Sequence, residues 1–296
     1  MGKISEETFN NWRKPPSDTE ETKLANAQKM ISEAIKADSV LKEKEIQIFG
    51  QGSYANDTNI RLDSDVDINV RLMDIFFFDL PEGKNRGDFQ LNSPSDYKFS
   101  TFKDSVENAL VNKFGRDSIE RKNKCITVKG NTNRIQADVV PTFNYHRYSI
   151  DGSYVEGTKF FSDDYKMVVN FPNQHLENSK TKNSNTSKRF KRLVRVFKKL
   201  KNKMVEDGSF TNDHITSFLI ESLMWNIPDT IFNDNDSWTE RVKSSLVYLY
   251  GSTEEQDKCK KWGEVSELLY LFHSGRKWTK EDVNNFVILS YNYLEF

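Results

Sequence analysis

Apolar positions recur along the chain with two periods, and the switch between them lays out the elements. After Pro15 and Pro16, Ser17 with Glu20 three residues on makes a capping-box start. Leu24, Ala27, Met30, Ile31 and Ile35 follow at helical spacing, which predicts a helix to about Asp38. The run "EIQIFGQGSY" reads as a short strand that ends at its glycines. From Asp65 the period drops to two: Val66, Ile68, Val70 and Leu72 on one side, Asp65, Asp67, Asn69 and Arg71 on the other, a half-buried strand with a polar face. "LPEGKNRGDFQLNSPSD" has no period and reads as a loop, and "STFKDSVENALVNKFG" returns to helical spacing through Phe102, Val106, Leu110 and Phe114. "KCITVKGNTNRIQADVVPTF" reads as two β-rich runs around Gly130 and Asn131, a hairpin whose second strand Pro141 closes. On that strand Ile135, Ala137 and Val139 face one way and Asp138 the other.

Beyond about Phe160 strand signals fade, and helices are expected over Lys188 to Met204, Asp213 to Trp225, Ser237 to Leu249 and Lys280 to Tyr293. "ENSKTKNSNTSKR" reads as a polar loop ahead of a basic helix. The pattern predicts an α+β chain: a mixed α/β lobe over residues 1–160 and a helical lobe over 161–296.

Length agrees with two lobes, since 296 residues can bury one large core or two ordinary ones. The 43 basic and 44 acidic residues nearly cancel, so any anion site must come from local clustering rather than from a global field. Two cysteines, Cys125 and Cys259, stand in no metal-like spacing and read as packing residues. With no charged-then-apolar leader and no long apolar run, the expectation is a cytoplasmic protein without a membrane span.

The chemistry concentrates in "GQGSYANDTNIRLDSDVDINV", Gly50 to Val70. Asp65 and Asp67 leave one face of a strand about 7 Å apart along it. Two such carboxylates repel unless a cation lies between them, and magnesium suits oxygen ligands shared with substrate phosphates. Asp138, on a later strand, is the candidate third carboxylate of a two-metal cluster, with the ions about 3.5 to 4 Å apart, for in-line displacement at phosphorus. Gly52 and Ser53 then read as a turn whose backbone N–H groups hold a nucleotide triphosphate. A calcium loop through Asp63, Asp65 and Asp67 fails because Ile68 stands where the sharp turn needs glycine and Asp74 replaces the bidentate glutamate. A solvated edge strand would account for the acidic run alone, but not for its combination with the Gly-Ser turn and the distal aspartate.

At these residues the chain resembles the polymerase-β-type nucleotidyltransferase superfamily. With "ADVVPTF" and "KRLVRVFKKL" it resembles, more narrowly, the cGAS/DncV-like nucleotidyltransferases, or CD-NTases, of bacterial antiphage (CBASS) signalling. "VVNFPNQHLENSKTKNSNTSKRFKRLVRVFKKLKN" points within them to the CdnE clade. The resemblance spans roughly Phe49 to Glu221. It implies a polymerase-β-like core with a mixed sheet and flanking helices, a C-terminal helical lobe, and an active site in the cleft between them. It further implies that Gln51, Gly52 and Ser53 contact donor phosphates and that Asp65, Asp67 and Asp138 bind two magnesium ions, manganese being the alternative. Lys198 in "RVFKKL" matches the lysine that reaches the triphosphate; Leu193, Val196, Phe197, Leu200 and Met204 form an apolar stripe that leaves Lys198 and the flanking Arg192, Arg195 and Lys199 off the core, most of these basic residues being solvated. Ser217 in "ITSFLIE" matches a serine near the donor nucleotide, packing inside a helix being the alternative. Asn170 in "VVNFP" matches the asparagine that contacts a pyrimidine base, since an amide offers both a donor and an acceptor to uracil; otherwise it caps the following turn.

The implied reaction joins two NTPs, UTP and ATP foremost, into a cyclic dinucleotide, cyclic UMP-AMP or cyclic di-UMP, with release of pyrophosphate. The implied partner is a downstream effector gated by that product, with no membrane and no sequence-specific nucleic acid; a monomer suffices. Rival readings are a template-independent RNA-tailing enzyme, an aminoglycoside-type nucleotidyltransferase, and a nucleotide-binding pseudoenzyme sensor. The first would display a long basic surface with interleaved aromatics, whereas only Lys188 to Lys203 is dense. The last would lack a metal ligand, whereas all three aspartates are present.

Overall fold

The computed structural model describes all residues except 1, 2, 61–64, 92, 256 and 257, so Asp63 of the calcium-loop alternative lies outside the described residues. Contacts group the chain into two compact units that interleave in sequence. One comprises Ser17–Tyr54 and Asp65–Asn173; the other comprises Met1–Pro16, Ala55–Ser64 and Gln174–Phe296.

The first unit begins with α2 (Asp18–Ala37), the chain's second helix after α1 (Glu6–Trp12) of the other unit. The capping box forms: the Ser17 N–H and hydroxyl both donate to the Glu20 carboxylate, at 2.8 and 2.7 Å. Next come β1 (Ile46–Gln51), the single-turn α3 (Gly52–Ala55), β2 (Val66–Asp79) and α4 (Phe99–Phe114). Five strands follow: β3 (Ile119–Arg121), β4 (Ile126–Val128), β5 (Ala137–Tyr148), β6 (Tyr154–Phe161) and β7 (Met167–Asn170). They form one seven-stranded sheet in the order β1-β2-β5-β4-β3, with β6 on the far half of β5 and β7 beyond β6. Among the described residues only β2 and β5 run parallel, which makes the sheet mixed.

The alternation of β2 works as its sequence requires. Val66, Ile68, Val70 and Leu72 are buried in one core with Leu24, Ile31 and Ile35 of α2 and Phe102, Val106 and Leu110 of α4, each side chain contributing about 1.5–3 kcal/mol. Asp67, Asn69 and Arg71 take the opposite face.

Pro141 does not close β5. The Val66 N–H donates to Gln136 O at 3.1 Å, so even positions of β5 bond towards β2 and odd positions away from it. On that outer edge β4 pairs no further than Val139 and β6 starts at Phe143, so Pro141 sits where no ladder bond is lost.

The second unit is helical: α1 with α5 (Pro172–Asn185, entered from the first unit), α6 (Arg189–Glu206), α7 (Ser217–Trp225), α8 (Asp229–Asn233), α9 (Trp238–Glu254) and α10 (Lys280–Leu294). Its core joins Phe9, Phe190, Leu193, Phe197, Leu200, Leu223, Leu246 and Phe286.

Three expectations are corrected here. The polar tract "ENSKTKNSNTSKR" is mostly helix, held by buried point contacts in place of an apolar stripe: Lys182 Nζ reaches Ile227 O (2.8 Å) and Asp229 Oδ1 (2.9 Å). The break expected after residue 160 falls at Asn173, because β6 and β7 continue the sheet. Residues 1–16 leave the first lobe: Glu6 accepts from the Trp238 and Thr239 N–H groups at 2.9 and 2.8 Å, capping α9 from the other end of the chain.

Candidate functional site

Strand register brings two of the three aspartates together. Asp67 of β2 pairs with Asp138 of β5, and in-register neighbours project to one face about 4.8 Å apart. Asp65 precedes Asp67 by two positions and shares that face; its carboxylate accepts from Gln136 Nε2 at 2.8 Å. Across β5, Thr127 pairs with Asp138, and the Thr127 hydroxyl, 1% exposed, donates to Asp138 Oδ1 at 2.5 Å. Lys122 Nζ stands 3.8 Å from the same oxygen.

The Gly-Ser turn lies directly on this pair. Gln51 of β1 opposes Asp67, and the next residue, Gly52, opens α3 with φ +62°. A Cβ at Gly52 would collide with Asp67 Oδ2, so the turn can rest on the carboxylate only where glycine stands. Ser53 follows within the turn. Gln51 holds the neighbouring row: Asn69 Nδ2 donates to Gln51 Oε1 (3.0 Å), and Thr142 Oγ1 donates to Asn69 Oδ1 (2.8 Å).

The surroundings are electronegative. The Cys125 thiol is pushed up to about 12, first by burial, then by Asp138, with Asp67 adding to it and Lys122 opposing. Among the described residues, no three His, Cys, Asp or Glu side chains converge as a ready cation cage. The donor set nevertheless suits a hard divalent cation: three carboxylates on one face, two of them oriented by the neutral donors Gln136 and Thr127.

Asn170 lies on the same face, since Asn144, Thr158 and Asn170 pair in one row across β5, β6 and β7, and Asn144 is in phase with Asp138. It is the last residue of β7.

In the helical unit, Lys198 of α6 is 3% exposed, not off the core. Its Nζ donates to Thr58 O (3.0 Å) and Thr58 Oγ1 (3.2 Å) and stands 3.8 Å from Glu221 Oε2. Glu221 of α7, also 3% exposed, accepts from Thr58 Oγ1 at 2.8 Å and meets His175 Nε2 at 2.9 Å. Burial alone would raise the Glu221 pKa, but His175, Lys198 and Thr58 hold it down at about 2. Arg195, expected off the core like Lys198, is also buried and donates to Asp57 Oδ1 at 2.6 Å. Both basic residues grip the segment between the Gly-Ser turn and Asp65. Ser217 is the exposed first residue of α7, capped by Thr216, and so is not packed inside a helix.

The sequence reading missed Thr58, His175, Thr127 and Gln136, which carry no pattern. Glu221 did carry one: a lone carboxylate inside the apolar run "SFLIESLMW" must find partners when buried.

A family model described as the cGAS/DncV-like nucleotidyltransferase C-terminal helical domain matches residues 177–295. The cyclic dipyrimidine nucleotide synthase CdnE of Cecembia lonarensis is 56% identical over 296 residues, 100% of each chain. The cyclic dipurine nucleotide synthase of Elizabethkingia meningoseptica is 37% identical over 99% of each chain. The structure of the Rhodothermus marinus CdnE c-UMP-AMP synthase with Apcpp and Upnpp superposes with a TM-score of 0.84 at 27% identity, covering 98% of this chain and 96% of that one.

Proposed function

We propose that this chain, which belongs to the cGAS/DncV-like nucleotidyltransferases and within them to the CdnE enzymes, joins two nucleoside triphosphates into a uridine-containing cyclic dinucleotide with release of pyrophosphate. The observation that carries the chemistry is the in-register pair Asp67 and Asp138 with the Gly52 turn against Asp67. Full-length similarity to a cyclic dipyrimidine synthase and Asn170 on the aspartate face support the choice of uridine.

Asp65, Asp67 and Asp138 would hold two divalent cations, magnesium by the chemistry of the donor set, which supply charge neutralisation at the α-phosphate and at the departing pyrophosphate. Asp138 takes up the proton of the attacking ribose hydroxyl, with Thr127 fixing its other oxygen. The hydroxyl oxygen bonds to the α-phosphorus as the bond to pyrophosphate breaks, and a second round closes the ring. Gln51, Gly52 and Ser53 present the turn to the donor phosphates. Lys198 and Ser217 enter as nucleotide contacts on the family resemblance alone. The product would act on an effector in CBASS antiviral defence. Among the described residues no helix is long and apolar enough to cross a membrane.

Pyrophosphate release from the four NTPs tests this. It should require a divalent cation and vanish in Asp67→Asn protein that melts like the wild type; release that survives the substitution would overturn the assignment.

A further inference from the structure

Asn170 ends the four-residue β7, which among the described residues pairs with β6 alone, and the next residue, Phe171, is buried with its ring 5.8 Å from that of Tyr145 on β5; the position of Asn170 therefore depends on where β6 lies against β5. Next to the Thr158 and Asn170 pair stands Gly157, where an added Cβ would lie 2.6 Å from Asn170 O and 2.9 Å from Phe171 Cδ1. Real Cβ atoms do not come that close, so a glycine at 157 is what lets the Asn170 backbone settle at its present depth.

The same glycine is gripped from the other side. Arg71, 2% exposed, donates from Nη1 to Gly157 O at 3.3 Å and pairs through Nη2 with Glu156 Oε1 at 2.8 Å. Its guanidinium also bonds Gln47 of β1 and lies 5.3 Å from the centre of the Phe49 ring. β2 and β6 are not neighbours in the sheet; β5 runs between them. Arg71 therefore reaches past a strand, and it does so from β2, four positions beyond Asp67 on the same face. A planar guanidinium holds its acceptors on β6 and on β1 in one fixed plane, a geometry that a compact ammonium does not reproduce.

We propose that Arg71 and Gly157 are positioning residues for the base reader: Arg71 ties β6 to the strand that carries Asp67, and Gly157 sets how close Asn170 comes, so that together they fix the choice of a pyrimidine over a purine donor. The inference rests on Asn170 as the residue that contacts the donor base. A merely structural Arg71 and Gly157 would weaken the protein and slow both nucleotides alike.

The test is the ratio of kcat/KM for UTP to that for ATP in Gly157→Ala, Arg71→Lys and Asn170→Ser proteins, with thermal melting of each. The expected result is a fall of about tenfold in the ratio for Gly157→Ala and Arg71→Lys, in the direction of Asn170→Ser, with no further fall when Gly157→Ala is added to Asn170→Ser. Arg71→Lys keeps the charge and loses the fork, and it carries the test alone should Gly157→Ala not fold. A ratio that stays at the wild-type value in the positioning variants while Asn170→Ser moves it overturns this inference and leaves the base reader standing. A ratio unmoved by Asn170→Ser, or a wild-type enzyme that does not use UTP, overturns both.

Discussion

Replacing Glu221 with glutamine keeps the shape of the side chain and removes the charge that holds its surroundings together. The carboxylate lies 2.9 Å from His175 Nε2, 2.8 Å from Thr58 Oγ1 and 3.8 Å from Lys198 Nζ. In the variant the buried Lys198 ammonium faces an amide, and removing one partner of a buried ion pair costs about 3–5 kcal/mol. The carboxyl itself gives a similar figure: held at about 2 against an ordinary 4.5, at about 1.4 kcal/mol per unit it contributes roughly 3 kcal/mol. The expected loss in Tm at pH 7 is about 6 to 20 °C, read by circular dichroism. Because the folded-state pKa lies below the unfolded one, this contribution is complete above about 4.5 and is lost as the pH falls towards 2. The gap between wild type and Glu221→Gln should therefore close over that window. A variant that melts with the wild type at pH 7, or a gap constant down to pH 3, would refute the reasoning.

Gly52→Ala places a methyl group against Asp67 Oδ2 at a φ of +62°; kcat/KM should fall about a hundredfold at a cost in stability of only about 1–2 kcal/mol, and steady-state kinetics beside a melting curve would separate the two. Thr127→Val removes the hydroxyl that donates to Asp138 at little change in volume; kcat should fall about tenfold with KM little changed, the magnesium requirement should rise, and Thr127→Ser should restore both. Glu6→Gln weakens the cap of α9 and should lower stability by about 1 kcal/mol in urea unfolding at pH 7, the difference shrinking as the pH drops below 4.5 because burial is outweighed by the Trp238 and Thr239 bonds that lower the Glu6 pKa.

The aspartate face was legible because it is written in a period of two. A strand with one face in the core has its other face fixed with it, so the sequence alone puts Asp65, Asp67 and Asp138 on one side. The start of α2 was legible for a similarly local reason, the Ser17 and Glu20 box. What escaped was non-local. α5 shows no apolar stripe, and the partners that make Lys182 a buried anchor, Ile227 and Asp229 with the rings of Trp225 and Phe232, lie far along the chain. The apolar stripe of α6 marked one covered face, while Arg195 and Lys198 are buried by the returning segment at Asp57 and Thr58. Pro141 looked like an end because its edge neighbours change from β4 to β6 around it, a fact of pairing that composition does not carry. The placing of residues 1–16 escaped for the same reason: Glu6 works on α9, more than two hundred residues away in sequence.

The most direct test of the central claim is the fate of label from each α-radiolabelled NTP in turn, all four nucleotides and magnesium being present, after phosphatase treatment and chromatography. A phosphatase-resistant product labelled from UTP, absent with the Asp65→Asn/Asp67→Asn protein, is the expected result. Label from purine nucleotides alone, or a ladder of linear products, would contradict it.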